Sequence, residues 1–455
     1  MGTVGISFGS PTSGQGFDVS STVSQIVANL QAVETPWQTQ LSSLQAQDTA
    51  LTSIGNDLST LSSALAALTA VQGVLSEKEG SSSDQSVLTL TGASSSAVAG
   101  SYTITVNSLA ATSSYDSTAT ASGDALAIGS SFAINGKTLT IDSSNDTLSS
   151  LATAINDGQY GVTANVLNTS AGQVLSLVSQ TSGAAGDINV ANGLTDASGS
   201  AINFTQAQAG ADASLTLDNF TITSPSNTVT DAIPGVTMQL LSAAPNTAVQ
   251  VEITNNDTDV ETAVTNFVSA YNTVMSDLNT QEGHDSSGNS EPLFGNPSVS
   301  GLQEQLQQAL DFTQSSGVVT SLTQLGVSMN NDGTLSLNTS KLNSELNSNY
   351  QDVVNFFQAG NGFTSFGDNL TSVMNALGNS APNGEIFLGL QQYSTQESTL
   401  NTNISNENAL ISTQKSQLTT ELNEANFTLE QIPTQLQAVN EIYSAITGFN
   451  QNPHG

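Results

Sequence analysis

The sequence predicts an α+β multidomain protein in which coiled-coil-like helical legs at the N and C termini carry β-rich head domains inserted between them. Apolar residues recur every seven positions in the first 75 residues and again between residues 404 and 446. Between these regions, apolar and polar residues alternate with a period of two, which is typical of strands. This layout is more typical of a scaffold than of an enzyme.

The N-terminal leg, residues 1–78, is expected to contain two helices at about residues 19–34 and 36–76, with Asp18 as the first N-cap. Thr35, Pro36 and Gln38 resemble a capping box with proline at the first helical position, so a bend is expected there. The heptad positions predict a stripe for self-assembly with other helices. They are Val23, Ile26, Leu30, Val33, Trp37, Leu44, Leu51, Ile54, Leu58, Leu61, Leu65 and Leu68. An intramolecular helical bundle is the alternative interpretation of this stripe.

The middle of the chain predicts two β-rich head domains, one from residues 79–116 and 211–259 and one from residues 117–210. Threonine- and valine-rich runs separated by Gly, Asn, Asp and Ser supply the strand candidates. These are 87–90, 102–106, 137–141, 174–178, 215–217 and 249–253, with one helix at 148–155.

Residues 260–387 predict a helical stalk region with a short strand insert at 326–337, where Asn331, Asp332 and Gly333 form a hairpin tip. Residues 388–455 predict the C-terminal leg, and its heptad row completes the expected self-assembly stripe. This row contains Ile404, Ile411, Leu418, Ile432, Val439 and Ile446, with Ala425 between Leu418 and Ile432.

Pro433 is expected to break the C-terminal helix, because the proline ring clashes with the preceding turn. Residues 433–449 would then form a short segment similar in length to residues 19–34. We expect these two segments to pair with each other, or with neighbouring copies, as a separate outermost layer.

The net charge of the chain limits the kinds of molecule that it is expected to bind. The chain has 38 acidic residues, four lysines and no arginine, giving a formal net charge of -34. Nucleic acid is bound through basic side chains, so neither nucleic acid nor an anionic membrane surface is expected as a partner.

The absence of cysteine excludes disulfides and thiolate sites. The N-terminus lacks the pattern of a cleaved signal, and no run reaches the length of a membrane span, so export would use another route and no membrane insertion is expected.

No residue pattern predicts catalysis, and we expect no enzyme activity, cofactor or metal site. His284 lies in a Gly/Ser/Asp loop and is expected to be exposed. Residues 256–259 and 330–333 contain Asn and Asp but lack the ligand spacing of a calcium loop, so turns are expected at both places.

Segments along nearly the whole chain carry a family resemblance. They are 16–21, 81–88, 99–110, 132–137 with 154–157, 227–236, 267–272 and 332–337. In this order they resemble the FliD family of bacterial flagellar filament cap proteins, also called flagellar hook-associated protein 2. Residues 132–137 and 154–157 resemble the "IN" motif that flagellins and hook-associated proteins share.

The resemblance implies a structural capping protein, secreted to the distal tip of the bacterial flagellum. Its copies would form a ring that retains exported flagellin and promotes its polymerisation. Implied partners are further copies, flagellin, the filament end, the flagellar type III export apparatus and an export chaperone. Two alternatives remain: another axial flagellar protein, of flagellin or junction type, and a tip adhesin that binds host or surface glycans.

Overall fold

The computed structural model describes residues 16–230, 232–358, 363–378 and 382–448. Its helices are α1 (Val19–Gln31), α2 (Thr35–Thr69), α3 (Leu148–Asp157), α4 (Asp257–Gln281), α5 (Pro297–Leu310), α6 (Thr339–Phe357), α7 (Phe366–Leu377) and α8 (Glu385–Thr447). Its first strands are β1 (Lys78–Ser82), β2 (Leu88–Ala93), β3 (Gly100–Ser108), β4 (Thr112–Ser117), β5 (Ser131–Ile134), β6 (Lys137–Thr140), β7 (Val162–Thr169), β8 (Gly172–Ser182) and β9 (Val190–Ala191). The others are β10 (Phe204–Gln208), β11 (Ala213–Leu217), β12 (Phe220–Ser224), β13 (Thr228–Val229), β14 (Val236–Leu240), β15 (Val249–Asn255), β16 (Val327–Met329) and β17 (Leu335–Leu337).

The chain divides into two compact units. Residues 1–69 and 263–455 form the helical unit, and residues 70–262 form the β unit. Each of the six predicted strand segments overlaps an observed strand, and α3 confirms the predicted helix.

Both N-terminal helices end earlier than predicted, α1 at Gln31 instead of about residue 34 and α2 at Thr69 instead of about residue 76. The Asp18 side chain accepts a hydrogen bond from the amide of Ser21 at 3.0 Å, which confirms this residue as the N-cap of α1. Glu34 is the residue before α2, and its carbonyl accepts from the amide of Gln38 at 2.9 Å. Its carboxylate also accepts from the Gln38 side-chain amide at 3.3 Å. This places the cap one residue before the predicted Thr35.

The predicted break at Pro433 is wrong, because α8 continues through this residue to Thr447. Proline removes one helical hydrogen bond, here to the carbonyl of Leu429, while the flanking turns keep theirs. The distinct segment 433–449 is therefore absent as far as Gly448, and its last residue lies outside the described part of the chain.

The N-terminal helices run antiparallel to α8. The amide of Phe17 donates to the side-chain oxygen of Asn426 at 2.7 Å, near the far end of α8. Leu51 instead lies against Gly389, near the start of α8. The segment 19–31 therefore packs beside the part of α8 that precedes residue 427, not beside residues 433–448.

A cluster of phenylalanine rings forms part of the core of the helical unit. Phe366, at the start of α7, stacks on Phe356 of α6 with ring centroids 5.1 Å apart. Phe267 of α4 packs edge to face against the Phe366 ring, with ring centroids 6.1 Å apart, and Phe357 of α6 does so at 5.9 Å. All four side chains are fully buried, so this cluster holds α4, α6 and α7 together.

The β16–β17 hairpin is attached to α4 through Asn272. The Asn272 side chain donates to the carbonyl of Leu335 at 2.8 Å and accepts from its amide at 2.6 Å. Asn279, two turns further along α4, donates to the carbonyl of Asp332 at 2.9 Å. Gly333 has φ +80°, as a residue at a hairpin tip often requires.

The β unit contains two hydrophobic cores. The first lies between a five-stranded antiparallel sheet, in the order β1-β15-β3-β11-β12, and a three-stranded sheet, β13-β14-β2. Val249 and Val251 of β15 and Met238 and Leu240 of β14 belong to this core. The second core is built by sheets β10-β4-β8-β7 and β6-β5-β9, with α3 packed on β7 and β8.

The two asparagines of the "IN" motif bond to main-chain groups in the second core. Asn135 occupies the turn between β5 and β6 with φ 49°; its side chain donates to the carbonyl of Tyr160 and accepts from the amide of Asn189, both at 3.0 Å. The Asn156 side chain of α3 bonds both the carbonyl and the amide of Ala164, at 2.9 and 2.7 Å. In this chain the motif therefore fixes a hairpin tip and a helix end.

Candidate assembly surface

The predicted stripe on α2 is covered within its own chain. Leu44, Leu51, Ile54, Leu58, Leu61, Leu65 and Leu68 are all at most 6% exposed. In the helical unit, α2 packs against α7 and α8. These side chains are core residues, so a second copy is not needed to shield them from water.

The predicted positions on and after α1 are less uniform. Val23 is buried, whereas Ile26, Leu30 and Trp37 are half-buried. Val33, in the turn between α1 and α2, is 54% exposed. Because α1 packs on α8, the half-buried residues leave part of their apolar surface available to a further partner.

Exposure rises toward the end of α8. Ile411 is buried, and Ile404, Leu418 and Ile432 are half-buried. Val439 is 60% exposed and Ile446 79% exposed. The outer part of the predicted row is therefore the part that its own chain leaves open.

A second row on α8 was missed by the sequence reasoning. Leu429, Leu436 and Tyr443 each lie three residues before a member of the predicted row, on the same face of the helix. Leu436 is 43% exposed and Tyr443 50% exposed. Their spacing of seven is visible in the sequence, but the expected break at Pro433 concealed it.

Few positive charges are available to pair with the acidic surface. Lys78, Lys137 and Lys341 donate to neutral oxygens, those of the Asn255 side chain, the Gln159 carbonyl and the Thr323 carbonyl, at 2.6 to 2.8 Å. Lys415 lies exposed on α8. Contacts between copies of this chain therefore require surfaces with few acidic residues.

Two carboxyl groups approach each other between α2 and α4. Burial, a hydrogen bond to Asp277 and the charge of Asp277 together raise the pKa of Asp57 to about 6, burial being the largest cause. A carboxyl group whose pKa is raised on folding stabilises the fold when protonated. This contribution is complete below about pH 4 and is lost as the pH rises through about 6.

We therefore expect Asp57→Asn to increase the free energy of unfolding at pH 7.5, by about 1 kcal/mol or less for this partly exposed pair. The gain should disappear at pH 4, where the wild-type group is protonated. Urea unfolding at both pH values measures it, with the exposed Glu421→Gln as control. Equal destabilisation of Asp57→Asn at both pH values would contradict the like-charge interaction.

The other polar candidates serve local structure. His284 is exposed, as expected, and its ring lies 4.8 Å from that of Phe294. Asp332 accepts from the amide and hydroxyl of Thr334, and the hydroxyl bond is the largest cause that lowers the pKa of Asp332. Residues 256–259 begin a helix rather than form the expected turn, since Asn256 accepts from the amide of Asp259 at 3.2 Å.

Among the described residues, no three His, Asp or Glu side chains are grouped so that they could hold a metal ion. Within the same residues, every helix is too short or too polar to span a lipid bilayer.

Comparison with known proteins identifies the family. Residues 15–113 match the model of the N-terminus of flagellar hook-associated protein 2, and residues 210–438 match that of its C-terminus. The B-type flagellar hook-associated protein 2 of Pseudomonas aeruginosa is 30% identical over 377 residues, covering 74% of this chain and 79% of that protein. Flagellar hook-associated protein 2 of Escherichia coli K12 is 28% identical and covers 80% of this chain and 84% of its own length.

A solved structure shares the fold. The D1-D2-D3 domains of the flagellar cap protein FliD from Escherichia coli superpose with a TM-score of 0.57 at 24% identity, covering 76% of this chain and 99% of that one. The matched relatives are components of flagella rather than a family of enzymes. With its C-terminal half and its N-terminal leg both matched, the chain belongs to the flagellar hook-associated protein 2 family.

Proposed function

We propose that this protein is a structural cap at the distal tip of the flagellar filament. Several copies form a ring that retains exported flagellin and promotes its polymerisation. Family membership supports this function, as does the shared fold with a protein named as a flagellar cap. A match to both terminal models of one hook-associated protein favours the cap over a flagellin or a junction protein.

The exposed apolar end of α8 carries the proposal. Val439, Ile442 and Ile446 are 60 to 79% exposed on neighbouring turns, whereas the apolar row of α2 is buried. A continuous apolar surface on a folded protein usually marks a contact with another protein. In a cap, other copies and the filament end are the partners that would cover it.

The proposed cap function assigns a role to each part of the chain. Residues 1–78 and 388–455 are the legs that seat the cap, residues 260–387 are the stalk, and the two cores of the β unit belong to the head domains. Secretion through the flagellar type III export apparatus, with an export chaperone, would deliver the chain to the tip. The half-buried and exposed members of the predicted heptad rows are the self-assembly residues in this proposal.

Replacement of both Ile26 and Leu30 by aspartate tests whether α1 is needed to attach the cap to the filament end. Both side chains are half-buried on α1, so two carboxylates there should weaken the packing of α1 on α8 while the β unit stays folded. In the source bacterium deprived of its own copy, we expect this variant to abolish filament growth and to release flagellin monomers into the medium. Motility in soft agar, electron microscopy and immunoblots of the medium measure the effect.

The matched control is Gln25→Asp with Asn29→Asp, which adds the same charge at exposed positions of the same helix. It should restore filaments as the wild-type chain does. Full-length filaments with the Ile26/Leu30 variant would show that α1 is not the seat. Failure of the wild-type chain to restore filaments would contradict the cap function itself.

A further inference from the structure

One edge of the five-stranded sheet of the β unit, formed by β12, is open. Among the described strands, β12 pairs with β11 alone, in a regular register that begins at the pair Leu217–Phe220. The turn between the two strands consists of Asp218 and Asn219, both with positive φ (46° and 72°), as a two-residue hairpin requires. The other side of β12 faces away from the sheet, and we call it the β12 edge.

The hairpin register determines which main-chain groups point outward at the β12 edge. In a two-residue hairpin the pair that closes the turn, here Leu217 and Phe220, exchanges hydrogen bonds, and such pairs recur at every second residue. The N–H and C=O groups of Thr221 and Thr223 therefore point away from β11. Within the described chain, no hydrogen bond uses these four groups. Both residues are exposed, and they lie about 7 Å apart along the strand.

Two other strand edges of this chain are closed by asparagine side chains. Asn156 bonds both main-chain groups of Ala164 on β7, and Asn272 bonds both main-chain groups of Leu335 on β17. In each case the side-chain amide takes the donor and the acceptor that a further strand would use. No described residue covers β12 in this way, and β12 also lacks the charge, internal proline or bulge that protects many edge strands. The β12 edge is therefore open to strand addition.

The two faces of β12 indicate which side chains an added strand would carry. Ile222 is half-buried against the first core, and Phe220, on the same face, is 75% exposed. Thr221 and Thr223 are exposed on the opposite face. A strand in which apolar and polar residues alternate would place its apolar side chains beside Phe220 and Ile222, and its polar side chains beside the two threonines.

The local charge favours an uncharged segment. Neither β11 nor β12 contains a charged residue, although the chain has a net charge of -34. A charged side chain on the added strand would lie against the apolar face or would find no opposite charge on these two strands. The acidic residue of the turn, Asp218, already accepts a hydrogen bond from the amide of Thr103 at 2.9 Å.

A second copy of the chain is not the partner that the β12 edge fits in a ring. Pairing between the β12 edges of two copies would use both edges and close a dimer. No third copy could then join through β12, so such pairing does not build a ring of several copies. A ring leaves each β12 edge available to a different polypeptide.

We propose that the β12 edge binds an extended, uncharged segment of a polypeptide that has not yet folded, which adds a sixth strand to the sheet. Main-chain hydrogen bonds supply the affinity in this mode of recognition, so different sequences fit if their apolar and polar residues alternate. The proposal rests on the proposed function for the source of this segment, which is exported flagellin that has not yet polymerised. It adds the surface that holds flagellin and the way in which the chain is held.

Peptide binding to the full-length protein tests the β12 edge. The probe is the fluorescein-labelled peptide Gly-Val-Thr-Val-Thr-Val-Gly, followed by fluorescence polarisation. Two further forms carry N-methyl groups, one on the threonine amides and one on the valine amides. In antiparallel pairing the threonine amides of the peptide face β12, because they lie opposite Thr221 and Thr223. We expect the threonine-methylated form to bind at least about tenfold more weakly than the valine-methylated form. Equal binding of the two forms would overturn the proposal.

A substitution in β12 gives a second readout. Thr221→Pro removes an outward N–H that makes no bond to β11, a position at which edge strands tolerate proline. It should weaken binding of the unmethylated peptide at least about tenfold, whereas Thr221→Ser keeps the main chain intact and should bind as the wild type does. Circular dichroism during heating checks that both variants are folded. Unchanged binding by folded Thr221→Pro would contradict strand addition. If this variant does not fold, the methylated peptides still decide, since they need only the wild-type chain.

The source of the segment is tested by competition. Flagellin of the source bacterium, diluted from urea immediately before mixing, should displace the labelled peptide, and no displacement would overturn the assignment to flagellin. Weaker association of copies in Thr221→Pro, measured by sedimentation velocity, would show that β12 joins copies and would also overturn the proposal. If the wild-type chain restores filaments but does not bind the peptide, the cap function stands and strand addition falls. If the peptide binds but filaments are not restored, strand addition stands and the cap function falls.

Discussion

Phe366→Ala is expected to lower the free energy of unfolding of the helical unit by about 3–5 kcal/mol. The Phe366 ring is fully buried and contacts Phe267, Phe356 and Phe357, which lie on two further helices. Alanine leaves a cavity that these rings cannot fill without leaving their own packing, so both apolar burial and ring contacts are lost. Trp37, the only tryptophan, lies in this unit, so its fluorescence during urea unfolding reports the change.

The control for this experiment is Phe427→Ala, the same substitution on α8. Phe427 is 61% exposed, so its removal should change the unfolding free energy by about 0.5 kcal/mol or less. A loss at Phe366 no larger than the loss at Phe427 would show that the phenylalanine cluster does not hold α4, α6 and α7 together.

Asn272→Ala is expected to cost about 2–3 kcal/mol, since two hydrogen bonds to the main chain of Leu335 disappear together. Leu335 is buried, so its amide and carbonyl would lose their side-chain partner without full access to water. The β16–β17 hairpin should then separate more readily from α4. Urea unfolding measures the stability loss, and faster hydrogen exchange at the Leu335 amide locates it.

Asn279→Ala provides the comparison on the same helix and hairpin. Asn279 is exposed; its side chain donates to the carbonyl of Asp332 at 2.9 Å and accepts from the side-chain amide of Gln303 at 2.9 Å. Because water can replace hydrogen-bond partners lost at an exposed site, we expect a loss of about 1 kcal/mol or less. Equal losses for the two variants, or unchanged exchange at Leu335 in Asn272→Ala, would contradict the anchoring role of Asn272.

Local signals in the sequence predicted much of the fold. Asp18 caps α1 because its side chain reaches the amide of Ser21, a contact that needs no distant residue. The turn at Asn331–Gly333 joins β16 and β17 as expected, because backbone conformation at such a tip depends on the residues themselves. The heptad rows likewise predicted long helices from their own period.

Strands with little apolar content were not predicted. β10 (Phe204–Gln208) and β4 (Thr112–Ser117) are mainly polar, and they pair because neighbouring strands complete the four-stranded sheet. Strand pairing of this kind is decided by contacts distant in sequence, which local propensity does not contain. The sequence pattern therefore indicated six strands, among them the buried β8, β11 and β15, and omitted most of their partners, including the buried β14.

The candidate assembly surface could likewise be predicted only in part from the sequence. By itself the sequence determined that seven-residue rows occur at both ends and that the chain is strongly acidic, because period and charge are properties of the residues alone. Only the tertiary structure decided which part of each row is free. The leucines of α2 are buried against α7 and α8, whereas the apolar row at the end of α8 extends past the point where α1 begins and is exposed there. A heptad pattern requires an apolar neighbour but does not specify which one, so covered and open segments look alike until the helices are packed.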